Sequence, residues 1–222
     1  MPRTRARTTT LAPRLDFTGP HTDADADARL LGAHDDRDGE RFAQADLTDF
    51  DLTGSSFAEC EFTAVTFTSA QLRAARFTET LMTTPYAPVL LAARTTWRDV
   101  MIDRPRWGSV EMFDADLTAV HIRGGKIDYL NLRNARLSDI LIEDCLLTEL
   151  DLSGTRNLRV SLRNCRIGTL DLTQATSTHL DLRTSELSAL NGLEGLKGAT
   201  IDDGQLAQLA PVFATHFGLF VE

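Results

Sequence analysis

Cysteine, histidine and the large polar aromatics are all scarce in this chain. Among 222 residues there are three cysteines, five histidines, two tryptophans and two tyrosines. Cys60, Cys145 and Cys165 form no Cys-x-x-Cys pair, which excludes a thioredoxin-type motif and a cysteine-rich zinc site. His21, His34, His121, His179 and His216 have no ligand spacing, so no metal and no cofactor are expected. The segment "HDDRDGE" (His34 to Glu40) would put His34 at the first calcium-ligand place and Ala45 at the bidentate one, and it reads as a solvated entry loop instead.

Glycine-rich phosphate loops, nucleophile elbows and zinc-protease motifs are absent too. Carboxylates are plentiful, but a chance pair at glycosidase distance needs a cleft that a regular repeat does not provide. No catalytic residues are therefore assigned, and the protein is not expected to be an enzyme. No apolar run approaches the ~18 residues that span a bilayer. The first thirty residues carry no apolar leader core, so the expectation is no membrane and a cytoplasmic location.

Positive charge is the other deficit. Lys and Arg number 23 against 32 Asp and Glu, for a net charge of -9 and a pI near 5.0. Four of those cations (Arg3, Arg5, Arg7, Arg14) lie in residues 1–15, which hold no acid, so the remainder has 19 basic and 32 acidic residues, or -13. Such a balance opposes direct nucleic-acid binding, which depends on neutralising phosphates. It permits a protein partner that itself binds nucleic acid. Residues 92–136 reverse the trend, with eight basic and six acidic side chains, so the middle of the chain is locally positive.

What is present is a period. From Phe42 large apolar residues recur every fifth place, at Leu47, Leu52, Phe57 and Phe62 and on to Leu187, without insertion or deletion. Of these 30 positions 28 are apolar, Asn157 and Ser177 being the polar two, where a 42% hydrophobic chain gives about 13 by chance. Five matches neither the helical nor the strand period.

A second inward set lies two residues earlier, and its members agree at intervals of twenty. Ser55, Ala75, Thr95, Ala115, Ala135, Thr155 and Ala175 are all small, while Val100, Val120, Ile140, Val160 and Leu180 in another column are branched or large. Twenty residues therefore make one circuit of a four-sided coil, with Asp, Asn, Ser and Thr turning the corners. Coils stacked at strand spacing, roughly 4.8 Å, give a rod about 36 Å long. Cys145 and Cys165 fall in one inward column, one coil apart, and are expected to pack in the core, as is Cys60.

The stretches "ADLTD FDLTG SSFAE CEFTA" and "DYLNL RNARL SDILI EDCLL TELDL SGT" resemble the pentapeptide-repeat family over residues 40 to about 190. The resemblance implies an all-β solenoid, a right-handed quadrilateral β-helix, from a bacterial source. The expected organisation is a disordered tail at 1–34, basic then acidic, the β-helix at 35–200 and a C-terminal helix or cap at 201–222. Pro85, Pro88 and Pro105 remove ladder donors. With the small centres Ala87 and Ala92 they predict local irregularity. The periodic Leu206, Leu209, Val212, Phe213 and Phe217 predict a short helix closing the core, with Pro211 as a kink.

The resemblance also implies function: a non-catalytic scaffold for protein–protein interaction. The alternative it implies is a mimic of DNA that binds DNA gyrase or a related topoisomerase and confers quinolone resistance. Candidate partner-binding residues are the outward acids Asp46, Asp49, Asp51, Glu59, Glu79, Asp99 and Asp139, and an apolar column of Leu81, Met101 and Leu141. Phe213, Phe217 and Phe220 are candidates for a cap or for pairing two chains as a homodimer.

Overall fold

The computed structural model describes residues 9–220. Every ladder in the repeat region joins residues exactly one circuit apart, as Phe42 with Phe62, Arg106 with Lys126 and Asp171 with Asn191. All these strands are parallel, and together they form a solenoid of about eight turns. One sheet runs through the strands Thr96–Asp103, Asp116–Arg123, Arg136–Glu143 and Arg156–Arg163, each of which bends from one face onto the next. The other stacks the six strands from Tyr86–Leu91 to Glu186–Asn191.

The four faces are named here by their inward residues. Face one begins with Phe42 and Phe62, face two with Leu47 and Phe67, face three with Leu52 and Leu72, and face four with Phe57 and Phe77. All eight are buried. Like residues stack on like: Phe42 on Phe62 with ring centroids 5.0 Å apart, Phe57 on Phe77 at 5.2 Å, and Phe77 on Trp97 at 4.2 Å. Each such ring contributes on the order of 2–3 kcal/mol by burial, which a single coil could not obtain alone.

The corners explain why small polar residues recur. Two places after most inward residues the chain enters the left-handed region, with Asp49 at φ 61°, Glu79 at 49°, Asp99 at 53°, Ala119 at 54° and Asp139 at 60°. Aspartate and asparagine tolerate that region better than most residues, because their side chains bond locally. A separate set, Asp46, Asp51, Asp151 and Asp171, stands one place before the inward residues and braces the same turns by accepting the amide two residues on.

The irregularity expected at the prolines is a change of corner, without an inserted residue. On the edge between faces two and three Asp49 and Ser69 have positive φ, but from Val89 onward that place no longer does. A six-residue strand, Tyr86–Leu91, accordingly runs straight through this place, while the eight-residue Thr96–Asp103 crosses the corner at Asp99, which keeps its positive φ. Ala87 and Ala92 are fully buried, and the neighbouring indoles of Trp97 and Trp107 bring the bulk that these alanines lack.

Both ends are closed. Leu31 is buried against the first coil, beside the short turn Ala28–Leu30. At the other end the helix Asp203–His216 starts on a capping box between Asp202 and Gln205. It runs through Pro211. Gln205 is buried, and its amide donates to the carbonyls of Leu182 and Ser185 at 2.5 and 2.7 Å. Gln208 does the same for Leu187 at 2.7 Å, and Leu209 is buried as well. The cap thus satisfies carbonyls that a further coil would otherwise have taken.

Candidate functional site

The outward acids sit in three different settings. Asp46, Asp49 and Asp51 stand exposed where faces two and three meet, on the first coil. The Oδ1 atom of Asp46 accepts from the amide and hydroxyl of Thr48 at 3.0 and 2.6 Å, and that of Asp51 accepts from the Thr53 amide at 3.0 Å. The bonds from Thr48 and Thr53 hold both carboxyls below the usual aspartate range, so they stay ionised in mild acid. Among the described residues none of the three has an ion-pair partner.

Glu59, Glu79, Asp99 and Asp139 occupy the corner between faces four and one, in a single column. Asp139 is buried and clasped by Arg159, at 2.5 and 2.6 Å. That guanidinium holds the Asp139 carboxyl below its usual range, against the opposing effect of burial. One circuit further along the column the residues become Arg159 and His179, so the acidic ladder ends there.

The same corner is occupied by the chain's own N-terminal segment. Residues 1–8 of the expected tail lie outside the described residues. Thr10 meets Thr200 through their hydroxyls, the Leu11 amide donates to His179 Nδ1 at 3.3 Å, and the Arg14 amide donates to Asp139 Oδ1 at 2.9 Å. Phe17 and Gly19 line a cavity shared with Glu79 and Asp99. The Asp23 amide then donates to the Gly39 carbonyl at 2.8 Å, and Ala24–Asp25 pairs with Glu40 and Arg41. Pro13, Leu15, Phe17 and Gly19 are half-buried and alternate with exposed Ala12, Arg14, Asp16 and Thr18, as in a strand laid on a surface.

The apolar column lies beneath the same segment. Leu141 is buried and shares a cavity with Ala12, Pro13 and Leu15, while Leu81 and Met101 are half-buried. Between them His121 bonds Glu143 at 2.7 Å. Burial opposes charge on Glu143, but Arg163 and His121 outweigh it and hold its carboxyl below the usual range. At the C-terminal end Phe213 is half-buried, whereas Phe217 and Phe220 are exposed, at 72% and 97%.

The three thiols are unpaired and buried. Burial pushes Cys60 up to about 11. The adjoining Cys165 thiol, together with burial, pushes Cys145 up as well. Among the described residues no group of three or more His, Cys, Asp or Glu is placed to hold a metal, and no helix is long and apolar enough to cross a membrane.

The family of the repeat follows from residues 41–82, which match the family model described as pentapeptide repeats, in eight copies. That segment is a run of pentapeptide repeats. Its pentapeptide coil continues in register far beyond the matched segment, to the pairing of Asp171 with Asn191. Similar solved structures include a trypsin-treated form of QnrB1, a plasmid-mediated fluoroquinolone resistance protein, at 19% identity over 90% of this chain and 95% of that one, with a TM-score of 0.35. Full-length QnrB1 gives 19% identity, 88% and 99% coverage and a TM-score of 0.34. HetL, a pentapeptide repeat protein involved in heterocyst differentiation regulation from the cyanobacterium Nostoc, gives 18% identity, 80% and 94% coverage and a TM-score of 0.33. No curated protein matches the chain.

Sequence reasoning placed the acids on the coil surface but missed the N-terminal segment that runs beside Glu79, Asp99 and Asp139. One signal lay in the text: Leu15 and Phe17 are two apart and flanked by Pro13, an alternation suited to an extended strap. A second missed feature is a groove on face two, built around Tyr86, Arg106 and Lys126.

Proposed function

We propose that this chain is a non-catalytic, cytoplasmic, bacterial pentapeptide-repeat scaffold that binds a basic protein surface at the first coil, through Asp46, Asp49 and Asp51. The observation that carries the proposal is the contrast between the two acidic corners. The ladder of Glu59, Glu79, Asp99 and Asp139 lies along the N-terminal segment and ends in an ion pair with Arg159. Asp46, Asp49 and Asp51 are exposed, and hydrogen bonds from Thr48 and Thr53 hold the Asp46 and Asp51 carboxylates in place. Fixed carboxylates lose little freedom when a cation docks, which favours recognition there.

The test is affinity capture with the triple variant Asp46→Asn, Asp49→Asn, Asp51→Asn against Asp99→Asn. The triple change is expected to abolish retention of a partner that wild type holds and Asp99→Asn still holds. Equal retention by all three forms would refute the assignment.

A mimic of DNA bound by gyrase needs a long uninterrupted anionic stripe. Here that stripe is limited by Arg159, by the N-terminal segment and by the cations of residues 92–136. Purified protein at tens of micromolar is accordingly expected to leave gyrase supercoiling unchanged, and inhibition would restore the mimic reading. The exposed Phe217 and Phe220 support a further proposal, that two copies pair through the C-terminal segment. Light scattering of Phe217→Ser, Phe220→Ser checks it: a dimer that becomes a monomer supports pairing there, and an unchanged mass removes it.

A further inference from the structure

Face two carries a groove of about 710 Å³, within the range of small-ligand sites. Its cations are Arg104, Arg106 and Lys126, and Asp128 is its single acid. Tyr86, Pro88 and Pro105 supply apolar walls, and the buried Trp107 lies beneath them. The floor stays bare because backbone crowds it: a Cβ at Gly108 would lie 2.2 Å from the Pro88 carbonyl oxygen.

Ladder register explains how the polar groups converge. Tyr86, Arg106 and Lys126 are cross-strand partners on Tyr86–Leu91, Arg106–Glu111 and Lys126–Asn131. Neighbouring strands lie about 4.8 Å apart, so two cations stand side by side, an arrangement that opposes folding unless something offsets it. Lys126 has Asp128 at 3.2 Å on its own strand, and Arg104 has Asp103 at 3.0 Å. Among the described residues Arg106 makes no ion pair and no side-chain hydrogen bond, and its strand neighbours are Tyr86 and Lys126, neither an acid. Elsewhere in the same column Arg166 has Glu186 as its partner at 3.3 Å.

We infer that this groove binds a small phosphate-bearing ligand with a planar ring, of the nucleoside monophosphate class. Arg106 and Lys126 take the phosphate, Arg106 with the fork geometry that suits it. Tyr86, half-exposed beside Arg106, offers a face for the ring. A small molecule is favoured over a polymer because only two coils contribute cations to the groove, Arg104 and Arg106 on one and Lys126 on the next. This site is separate from the exposed acids, which lie on the first coil of the same solenoid, and it does not depend on the scaffold proposal.

Calorimetric titration of the full chain with adenosine monophosphate, adenosine and inorganic phosphate tests the inference, with tryptophan emission as a second readout because the buried Trp107 lies directly beneath the groove. Adenosine monophosphate is expected to bind saturably, adenosine at least tenfold more weakly, and Arg106→Ala to lose at least tenfold in affinity while its melting curve stays that of wild type. Tyr86→Ala is expected to weaken adenosine monophosphate and leave inorganic phosphate unaffected. Absence of saturable binding by either phosphate up to about 10 mM, equal binding of adenosine, or an unaltered Arg106→Ala isotherm would each overturn it.

Discussion

At the scale of single residues, the molecule is governed by corner geometry and by a few clasped charges. Ala119 sits at φ 54°, where a Cβ costs about 1 kcal/mol and where aspartate or glycine is easier. Ala119→Gly is therefore expected to raise stability by up to about 1 kcal/mol in urea denaturation. Asp139 offers a pH test with a fixed sign. Its folded pKa is depressed by Arg159, so its contribution is complete above the unfolded value of about 3.9 and is lost as pH falls through the lower folded value. Asp139→Asn should cost about 2 kcal/mol at neutral pH, and the gap from wild type should close in strong acid. A gap that persists unchanged below the folded pKa would mean that the ion pair is not its source.

The inward residues were legible in the sequence because each makes its contacts with the residue one circuit away, so the column itself is the signal. Phe57, Phe77 and Trp97 stack as their spacing requires. Phe77→Ala removes the middle ring and should cost about 3–5 kcal/mol. Arg106 was less legible, since a local positive excess in residues 92–136 does not say which cations share a strand edge.

At the scale of elements, the repeat and the capping helix were readable, a disturbance at the prolines was readable in place but not in form, and the course of the N-terminal segment was not. Residues 9–22 hold little apolar material, and they meet the coil largely through backbone amides, as at Leu11 and Arg14. Backbone donors carry no sequence signature. The change of corner at Val89 was equally hidden, since a backbone angle is a product of packing and only Pro88 hinted at it. The helix was expected to close the core through Leu206, Leu209, Val212, Phe213 and Phe217; of these Leu209 is buried, and the glutamines Gln205 and Gln208 make the hydrogen bonds to the last coils. Gln205→Ala leaves the Leu182 and Ser185 carbonyls without their donor and should cost about 1–2 kcal/mol. Hydrogen exchange should quicken in residues 182–190 and stay unaltered in the central coils, because repeats couple chiefly to their neighbours.

At the scale of the whole molecule, one side of the solenoid is dressed by its own chain and the other is bare. The segment from Thr10 to Asp25 follows the edge between faces four and one, while face two presents acids on its first coil and cations further along. The face-two cations, Arg106 and Lys126, stand three and four coils beyond Asp46, and a rod with opposite charges displaced along one face can orient a partner as well as hold it. The most direct measurement is photo-crosslinking from a reactive amino acid placed at Asp49, compared with one placed at Asp99. The scaffold proposal predicts covalent capture of a partner from position 49 and none from position 99. Capture from position 99 alone, or from neither, would contradict it.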